Sequence, residues 1–427
     1  MVREGWEEKK LVEVATIESG GTPSTKNEKY WKNGDIFWVT LPDQINKYIY
    51  NTQRKITDLG LKKSSAKLLP KNTVILSSRA TIGEVSIIKK EMSTNQGSKN
   101  FICNPSKIYF EFLFYLLKAN IKKIKHIASG ATYKEINKAV LSNLEVEIPR
   151  NITEQKKIAT ILSNYDDLIE ANEKRIKILE NIAKLIYEEW FVRFKFPGHE
   201  KVKVVDSGTE FGKIPEGWEV KSIMGYENFD FINTNIKKFE GEKEYFATAN
   251  ISGLEIIKEG EFVNYQNKPS RAQKEPILNS VWFARMKDSY KVLGFSKANE
   301  FIAKKSILSS GFAGFKCEEN IFPFLFLNIN SKKFETLKDL YATGATQVSI
   351  NNDGIKRIEV ISPKKEIVES FGQLLNPLLN KIFQLQIKNQ NLRKTRDLLL
   401  PKLISGDVDV SELDIKLNEP MEMEVSA

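Results

Sequence analysis

The chain contains little histidine and cysteine. Of its 427 residues, two are histidine, His126 and His199, and two are cysteine, Cys103 and Cys317. Two cysteines alone make neither a disulfide framework nor a zinc site. Neither histidine has a cluster of cysteine, histidine or aspartate beside it in the sequence, and an isolated histidine is more often structural than catalytic. The sequence therefore predicts no bound metal and no histidine-based catalytic site.

Long apolar runs are also missing. No stretch approaches the roughly 18 apolar residues that a membrane-spanning helix needs. The first residues, MVREGWEEKKLVEVA, contain no apolar segment of the kind found in signal peptides. No P-loop of the form Gly-x-x-x-x-Gly-Lys-Ser/Thr is present either. We therefore expect a cytoplasmic protein with no membrane contact and no nucleotide site of its own.

Positive charge is concentrated at one end of the chain. The formal net charge is +10, and residues 1–150 hold 25 Lys and Arg against 15 Asp and Glu. The balances are 8 and 8 in residues 151–196, 24 and 22 in 197–364, and 8 and 10 in 365–427. A basic domain beside neutral ones suggests a polyanionic partner, with nucleic acid first. A lysine-rich proteome would give the same excess, so charge alone leaves both explanations open.

One stretch of sequence occurs twice. HIASGATYKEINKAVLSNLEVEIP at 126–149 matches LYATGATQVSINNDGIKRIEVISP at 340–363 in nine of 24 positions, at an offset of 214. The tripeptide EGW at 4–6 recurs at 216–218, and the two cysteines are also 214 residues apart. A period of half the chain with no third copy predicts a tandem duplication of one domain.

A long heptad pattern follows each copy, over residues 151–196 and 365–405. Pro377 should kink or break the second helix near Asn376, and Pro401 should end it. Asn172 and Asn389 fall on the apolar seams, where a polar residue costs stability but can fix register. The predicted seam residues are Ile158, Tyr165, Leu168, Leu179 and Ile186 in the first helix and Phe371, Leu378, Leu385 and Leu392 in the second.

The predicted architecture is mixed α/β (α+β). Globular domains at 1–150 and 197–364 form a tandem pseudo-two-fold repeat, separated by the two helices, and 406–427 is a C-terminal tail. Each helix is too long and too amphipathic to remain unpaired, so we expect the two to pack antiparallel with a globular domain at each end. Such a body could contact two half-sites on DNA, with the helices setting the gap between them.

The residues resemble the specificity (S) subunit of type I restriction–modification systems. The resemblance covers nearly the whole chain. Each motif is weak alone, but their order, the duplication and the helices together are specific. The motifs are GGTPS at 20–24, YWKNGDIFWVTLPD at 30–43, GLKKSSAKLLPKNTVILSSRATIGEVSI at 60–87, SGATYKEINKAVLSNLEVEIP with the later EQKKIATIL, and LLLPKLISGDVDV near the end.

The resemblance implies a non-catalytic subunit in a prokaryotic cytoplasm. Each globular domain would be a target recognition domain that reads one half of a bipartite site on double-stranded DNA. The helices would space the domains and dock two methyltransferase (M) subunits, and restriction (R) subunits would join that core. S-adenosylmethionine, ATP and Mg²⁺ would belong to those partners, with no cofactor here. In agreement, NPSK at 104–107 and NPLL at 376–379 both lack the Asn-Pro-Pro-aromatic motif of adenine methylation.

Candidate DNA contacts in the first domain come from loops that match the reading loops of that family. Phosphate contacts need cations, small hydroxyl groups or backbone N–H groups, whereas base contacts need bidentate groups such as Arg, Gln and Asn. Lys122, Lys123 and Lys125 form a nearby basic cluster, which is equally well explained as the solvated face of a helix. The predicted contacts are Arg79, Thr81, Asn95, Gln96, Ser98, Lys99, Thr132, Tyr133 and Lys134.

The second domain departs from the first. WFARMKDSYKVLGF at 282–295 takes the place of LSSRATIGEVSI, and we predict that Arg285 stands where Arg79 does, in a longer loop. Divergence of this kind is expected if the two domains read different sequences. The candidate contacts are Arg271, Arg285, Lys287, Lys291, Ser309, Ser310, Gln347 and Ser349.

Two other functions fit parts of the sequence. A coiled-coil adaptor without a DNA role would explain the helices and the near-neutral second domain. A stand-alone DNA methyltransferase or nuclease would explain the basic first domain, but it lacks any matching motif for a nucleotide, a methyl donor or a metal.

Overall fold

The computed structural model describes residues 3–79, 81–127, 135–345 and 347–417. The chain forms two compact units: Met1–Ile169 with Asn391–Ala427, and Glu170–Gln390. Each unit contains one globular α/β part and parts of two helices of 40 residues each. The mixed α/β class predicted from the sequence is confirmed.

The first unit is built on two sheets and a two-stranded ribbon. The larger sheet has the order β2-β9-β6-β7-β4, and the smaller has the order β5-β3-β8. In the ribbon, β1 runs antiparallel to β10, so the start of the globular part is hydrogen-bonded to the strand that precedes the long helix. The strands are β1 (Trp6–Lys10), β2 (Ala15–Ser19), β3 (Ile36–Val39), β4 (Tyr48–Ile49), β5 (Lys55–Ile56), β6 (Val74–Ser77), β7 (Val85–Ile88), β8 (Ser93–Thr94), β9 (Ser98–Cys103) and β10 (Glu145–Pro149).

The helices of the first unit differ in how deeply they are buried. They are α1 (Leu11–Val14), α2 (Asp58–Lys62), α3 (Phe110–Ala119), α4 (Ile121–His126), α5 (Lys138–Ser142) and the first part of α6 (Ile152–Phe191). In α3 the eight residues 110–117 are all buried, because its aromatic and aliphatic side chains surround the helix. It therefore lies inside the unit, whereas in α4 only Ile124 is buried.

The second unit has two four-stranded sheets and three ribbons. The sheets have the orders β14-β23-β20-β21 and β18-β15-β22-β19, and the ribbons are β11-β12, β13-β24 and β16-β17. The strands are β11 (Val204–Asp206), β12 (Lys213–Pro215), β13 (Glu219–Ser222), β14 (Asp230–Phe231), β15 (Lys243–Phe246), β16 (Ile251–Ser252), β17 (Glu255–Ile256), β18 (Glu261–Val263), β19 (Ala272–Lys274), β20 (Ser280–Ala284), β21 (Val292–Phe295), β22 (Ser306–Ser309), β23 (Phe312–Lys316) and β24 (Glu359–Ser362). Its helices are α7 (Glu300–Lys305), α8 (Phe322–Ile329), α9 (Lys332–Leu340), α10 (Asn352–Lys356) and the first part of α11 (Lys365–Ile404).

The two units share one topology. The antiparallel order β2-β9-β6-β7 of the first unit is repeated as β14-β23-β20-β21 in the second. In the other sheet β3 pairs parallel with β8, and β15 pairs parallel with β22. The ribbon β1-β10 is likewise repeated as β13-β24. The duplication predicted from the sequence is therefore confirmed at the level of strand order.

Both long helices are confirmed, but their proline positions behave differently from the prediction. The helix α11 continues through Pro377 and includes Pro401, so the break that was one of the two predictions at Pro377 does not occur, and the helix does not end at Pro401. The other prediction at Pro377, a kink, stays a prediction. Proline removes one backbone donor, which leaves the carbonyl group of Gln373 without its helical partner. Pro377 and Gln373 are both exposed, and water can satisfy that carbonyl.

The two helices run antiparallel within each unit. In the second unit Asn172 of α6 contacts Asn389 of α11, and Trp190 lies 5.4 Å from Phe371 between ring centroids. In the first unit Asp166 of α6 contacts Arg396 of α11.

At two places in α6 the buried position lies one residue after the predicted one. Of the predicted residues, Ile158, Phe371 and Leu385 are buried. The others, Tyr165, Leu168, Leu179, Ile186, Leu378 and Leu392, are half-buried. Ile169 and Tyr187 occupy the buried positions beside Leu168 and Ile186. Apolar residues spaced three and four apart show that a helix has one apolar face. Where two apolar residues are adjacent, the spacing does not decide which of them is buried.

Gly372 gives a direct test of how closely α11 packs in the second unit. A Cβ atom at this position would lie 1.8 Å from the carbonyl oxygen of Asn320. Alanine normally favours a helix over glycine by about 1 kcal/mol. Because the clash is with backbone, Gly372→Ala should instead lower the free energy of unfolding by about 1–3 kcal/mol. Urea unfolding measures this, with Gln373→Ala at the exposed neighbouring position as the control. An unchanged or higher midpoint for Gly372→Ala would show that the helix is not seated there.

Candidate nucleic-acid interface

Three segments meet at one edge of the first unit. They are the β6–β7 loop (78–84), the β8–β9 loop (95–97) and the segment that begins at Glu135. The backbone N–H of Ser78 donates to Gly97 O at 2.8 Å, and Ile136 N donates to Ser78 O at 3.0 Å. Backbone hydrogen bonds thus hold together loops that are far apart in the sequence, and the predicted contacts in these loops share one surface.

The β8–β9 loop is fixed by its own side chains. Asn95 Oδ1 accepts hydrogen bonds from Gly97 N at 3.1 Å and from Ser98 Oγ at 3.2 Å. The exposed Gln96 accepts a hydrogen bond from the Thr22 hydroxyl group through Oε1. Thr22 belongs to the GGTPS motif, and sequence reasoning did not single it out as a neighbour of the loop.

Gly20 explains how the GGTPS segment comes so close to this loop. A Cβ atom on Gly20 would lie 1.9 Å from the carbonyl oxygen of Asn95. No other residue type fits that approach without moving the backbone. The motif therefore packs beside the β8–β9 loop because its first residue has no side chain.

The predicted contact residues of the first unit differ in exposure. Arg79 and Thr81 are exposed, whereas Ser98 and Lys99 are buried. Lys99 Nζ lies 3.8 Å from one carboxylate oxygen of Glu135, and Arg79 Nε lies 4.0 Å from the other. Burial lowers the pKa of Lys99, and the Glu135 carboxylate opposes that shift. Lys99 is therefore a buried, structural residue of these loops, and Arg79 is the cation at the surface.

Lys125 adds a cation that lies next to the β6–β7 loop. A Cβ atom on Gly83 would come within 3.0 Å of Lys125 Cε and of Ile121 Cγ2, so α4 packs directly against this loop. Lys122, Lys123 and Lys125 are all exposed, as a solvated helix face would be. Thr132, Tyr133 and Lys134 lie outside the described residues.

The second unit repeats the backbone hydrogen bonds that join these loops in the first unit, but not the side chains that the loops carry. We call this set of bonds the backbone frame. Arg285 N donates to Gly311 O at 2.8 Å, and Ile350 N donates to Arg285 O at 2.9 Å. These bonds match those of Ser78, so Arg285 corresponds to Ser78 and not to Arg79. In the same frame Arg79 bridges to Glu135, and Met286 bridges to Ser349. The predicted correspondence of Arg285 with Arg79 is therefore wrong by one residue.

The two β-hairpin loops are also equal in length, contrary to the prediction. The first runs from Ser78 to Glu84 between β6 and β7, and the second from Arg285 to Lys291 between β20 and β21. Ser77 N donates to Glu84 O, and Ala284 N donates to Lys291 O, which closes both loops in the same way. The missing Thr-Ile-Gly turn made the second loop look longer in the sequence.

Arg285 is half-buried and held in place. Its Nη1 donates to Ile350 O at 3.1 Å, and its Nη2 donates to Asn352 Oδ1 at 2.8 Å. Burial lowers the pKa of this guanidinium. The pKa of Lys274 on β19 is lowered by burial and then by the charge of Arg285. Lys274 is a neighbouring cation that the sequence did not reveal, because β19 is distant from the loop in the chain.

The other predicted residues of the second unit fall into three groups by exposure. Exposed side chains are those of Lys287, Arg271 and Gln347, while Ser310 and Ser349 are half-buried. Ser310 N donates to Arg271 O at 2.7 Å, which brings Arg271 next to the β22–β23 loop. Ser309 is buried, and its hydroxyl group accepts from Gly311 N at 3.2 Å, as Asn95 does for Gly97. The half-buried Lys291 donates to Thr248 O at 2.6 Å.

No group of three or more His, Cys, Asp or Glu side chains within the described ranges is arranged to hold a metal ion. Among the helices of those ranges, none is both long and apolar enough to cross a membrane.

A family model and a solved structure indicate the class of protein that the chain resembles. Residues 3–181 match the family model described as type I restriction modification DNA specificity domain. In fold, the chain is similar to the crystal structure of a type I restriction–modification S subunit from M. genitalium. That match has a TM-score of 0.57 and 17% identity, and it covers 93% of this chain and 96% of the other.

Two curated relatives extend the match over most of the chain. The chain is 32% identical to the type I restriction enzyme MjaIX specificity subunit of Methanocaldococcus jannaschii, over 96% of this chain and 94% of that protein. It is 25% identical to the HindI specificity subunit of Haemophilus influenzae, over 88% and 94% respectively. The chain belongs to the family of type I restriction enzyme specificity subunits.

The contact between Lys99 and Glu135 yields a test of the first site. Glu135→Gln would leave the buried Lys99 ammonium group without a carboxylate partner, as long as Lys99 stays charged. Because 42% of the Glu135 side chain is exposed, we expect a loss of only about 1 kcal/mol in the free energy of unfolding near pH 7. Adding Lys99→Met should restore most of it. Denaturant unfolding of both variants measures the effect, and a double variant that is less stable than the single one would contradict this account.

Proposed function

We propose that the chain is the non-catalytic subunit that gives a type I restriction–modification complex its DNA specificity. Each globular part reads one half of a bipartite site on double-stranded DNA, through the loops around Arg79 in the first unit and Arg285 in the second. The observation that carries this proposal is one backbone frame used twice with different side chains. Membership of the specificity-subunit family supports it.

Exposed side chains in the two frames suit both tasks of DNA recognition. Arg79 and Arg271 offer planar guanidinium groups, and Gln96 and Gln347 offer amides for base edges. Lys287 and Lys125 are suited to phosphate contacts, which position the protein without reading sequence. The buried residues Ser98, Lys99 and Ser309 act in the proposal as supports for these loops.

Methyltransferase subunits are the proposed partners of the long helices, and restriction subunits join through the complex. On α6 the side chains of Ile178, Ile182 and Leu185 are 59%, 40% and 55% exposed, at helical spacings of four and three residues. They form an apolar stripe distinct from the buried seam, where Trp190 and Phe191 lie. Such a stripe is suited to a partner helix. S-adenosylmethionine, ATP and Mg²⁺ belong to the partners, and the complex acts in the cytoplasm, where prokaryotic DNA lies.

A reconstituted complex tests the function directly. The chain and the methyltransferase subunit of its own system are mixed with a duplex library and S-adenosylmethionine, and the methylated sequences are read. The expected result is a split site with an unread gap. Arg79→Ala should then relax discrimination in one half, and Arg271→Ala in the other, by about tenfold or more, since a good bidentate contact contributes about 1–3 kcal/mol.

Matched controls separate a reading role from a loss of positive charge. Lys10→Ala in the first unit and Lys304→Ala in the second each remove one cation from an exposed position outside the loops. Both should leave the split site unchanged. Methylation without any site preference, or equal effects of both arginine variants on both halves, would refute the assignment of one half-site to each unit.

The apolar stripe on α6 gives an independent test of partner docking. Leu185→Asp places a charge in the stripe and should abolish association with the methyltransferase subunit. Because Leu185 is 55% exposed, the unfolding midpoint of the isolated chain should stay unchanged. Asn181→Asp introduces the same group at an exposed polar position of the same helix and should retain the complex. The mass of the complex in sedimentation analysis decides, and a normal mass for Leu185→Asp would rule out this stripe as the docking surface.

A further inference from the structure

Two amide side chains meet inside the apolar seam of the second unit. Asn172 on α6 is 1% exposed, and Asn389 on α11 is 2% exposed. The Nδ2 group of Asn172 donates to Oδ1 of Asn389 at 2.8 Å. One helical turn away on each helix, Ile176 and Leu385 are buried members of the apolar core. The amide pair therefore interrupts a seam that is otherwise suited to hydrocarbon side chains.

This contact is not the most stable arrangement available at these positions. The Oδ1 atom of Asn172 is buried and accepts no hydrogen bond from any residue that the structure describes. A buried amide that lacks part of its hydrogen bonding lowers stability relative to a well-packed apolar side chain. When a seam carries a polar pair at such a cost, the benefit lies in selecting one pairing over others.

The benefit follows from what happens if the helices slide. A shift of one heptad in one direction would place Asn172 opposite Ile382, and a shift in the other direction would place Asn389 opposite Leu179. Ile382 is buried, and Leu179 packs against the same core. Either shift breaks the contact between the amides and sets one of them against an apolar side chain. An all-apolar seam would tolerate the same shifts much better, since one hydrocarbon layer can replace another.

We propose that Asn172 and Asn389 determine the register of the two long helices within the second unit, and that they thereby contribute to fixing the length of the unread gap in the DNA site. The first part concerns the helix pair of the second unit alone. The second part rests on the proposed function and on the spacing role that the sequence predicts for the helices. The pair acts as a positioning element and does not contact DNA.

Cross-linking reports the register without any DNA. In a background of Cys103→Ala and Cys317→Ala, the pair Ile176→Cys with Leu385→Cys reports the observed register. The pair Ile176→Cys with Leu378→Cys reports a shift of one heptad. With Asn172 and Asn389 present, only the first pair should form a disulfide on oxidation. With Asn172→Leu and Asn389→Leu, the second pair should also form it, at a level about tenfold or more above that of the unsubstituted seam.

Stability and DNA measurements complete the experiment. The Asn172→Leu/Asn389→Leu chain should resist denaturant at least as well as the unchanged chain, which shows that altered register is not unfolding. In the reconstituted complex, DNA sites with the native gap are compared with sites whose gap is one base pair longer or shorter. The unchanged chain should prefer the native gap about tenfold or more, and the double variant should prefer it less than about threefold. Leu379→Ile/Ile382→Leu, a volume-conserving pair in the same seam, should behave as the unchanged chain does.

The outcomes separate the two parts of the proposal. A single cross-linking register in the double variant would overturn the register role. Two registers combined with unchanged gap discrimination would overturn the link to the gap. If no complex, including the unchanged one, distinguishes one gap length from another, the proposed spacing function fails, while the cross-linking result still decides the register role.

Discussion

Burial of the apolar faces of α6 and α11 is the constraint on which both units depend. A helix of 40 residues with one apolar stripe gains most of its stability from packing and little from its own hydrogen bonds. In the first unit Ile158 and Leu162 of α6 share a core with Leu403 and Ile404 of α11. Residues from distant parts of the chain thus complete one core, and Arg3 forms an ion pair with Asp409 at 2.7 Å in the same unit. The core of the first globular part therefore includes residues of both long helices and is not complete without them.

Polar contacts make this general attraction specific, and each unit has a different one. In the first unit Arg396 lies 2.5 Å from Asp166, whose second oxygen accepts from the Tyr115 hydroxyl group at 2.6 Å. In the second unit the contact is the amide pair of Asn172 and Asn389. Removing either partner of such a contact leaves a polar group in a mostly buried site, which is costly. Apolar burial therefore explains why the helices pair, and these side chains explain why they pair in one register.

The sequence predicted the two long helices and their apolar spacing well, but it did not predict which of two adjacent apolar residues is buried. Heptad spacing located α6 and α11 to within a few residues, because about eleven turns of helix leave a strong signal. It could not decide between Leu168 and Ile169, or between Ile186 and Tyr187, since only packing selects one of two adjacent apolar residues. The same limit applied to the loops, where an alignment placed Arg285 one residue away from its structural equivalent. Burial of Lys99 and Ser309 was also beyond reach, because it depends on segments distant in the chain.

The backbone frame shows how a duplicated fold can diverge in the side chains of its loops while its core stays the same. Both units use the same backbone hydrogen bonds, so the frame places few demands on the side chains it carries. Within it, Ser78 and Arg79 of the first unit correspond to Arg285 and Met286 of the second, and Glu84 corresponds to Lys291. Successive residues in an extended segment point to opposite sides, so moving the arginine by one position turns its guanidinium group in another direction. A change in the surface offered to a ligand thus requires no change in the core, which is the separation that two unlike reading surfaces on one scaffold need.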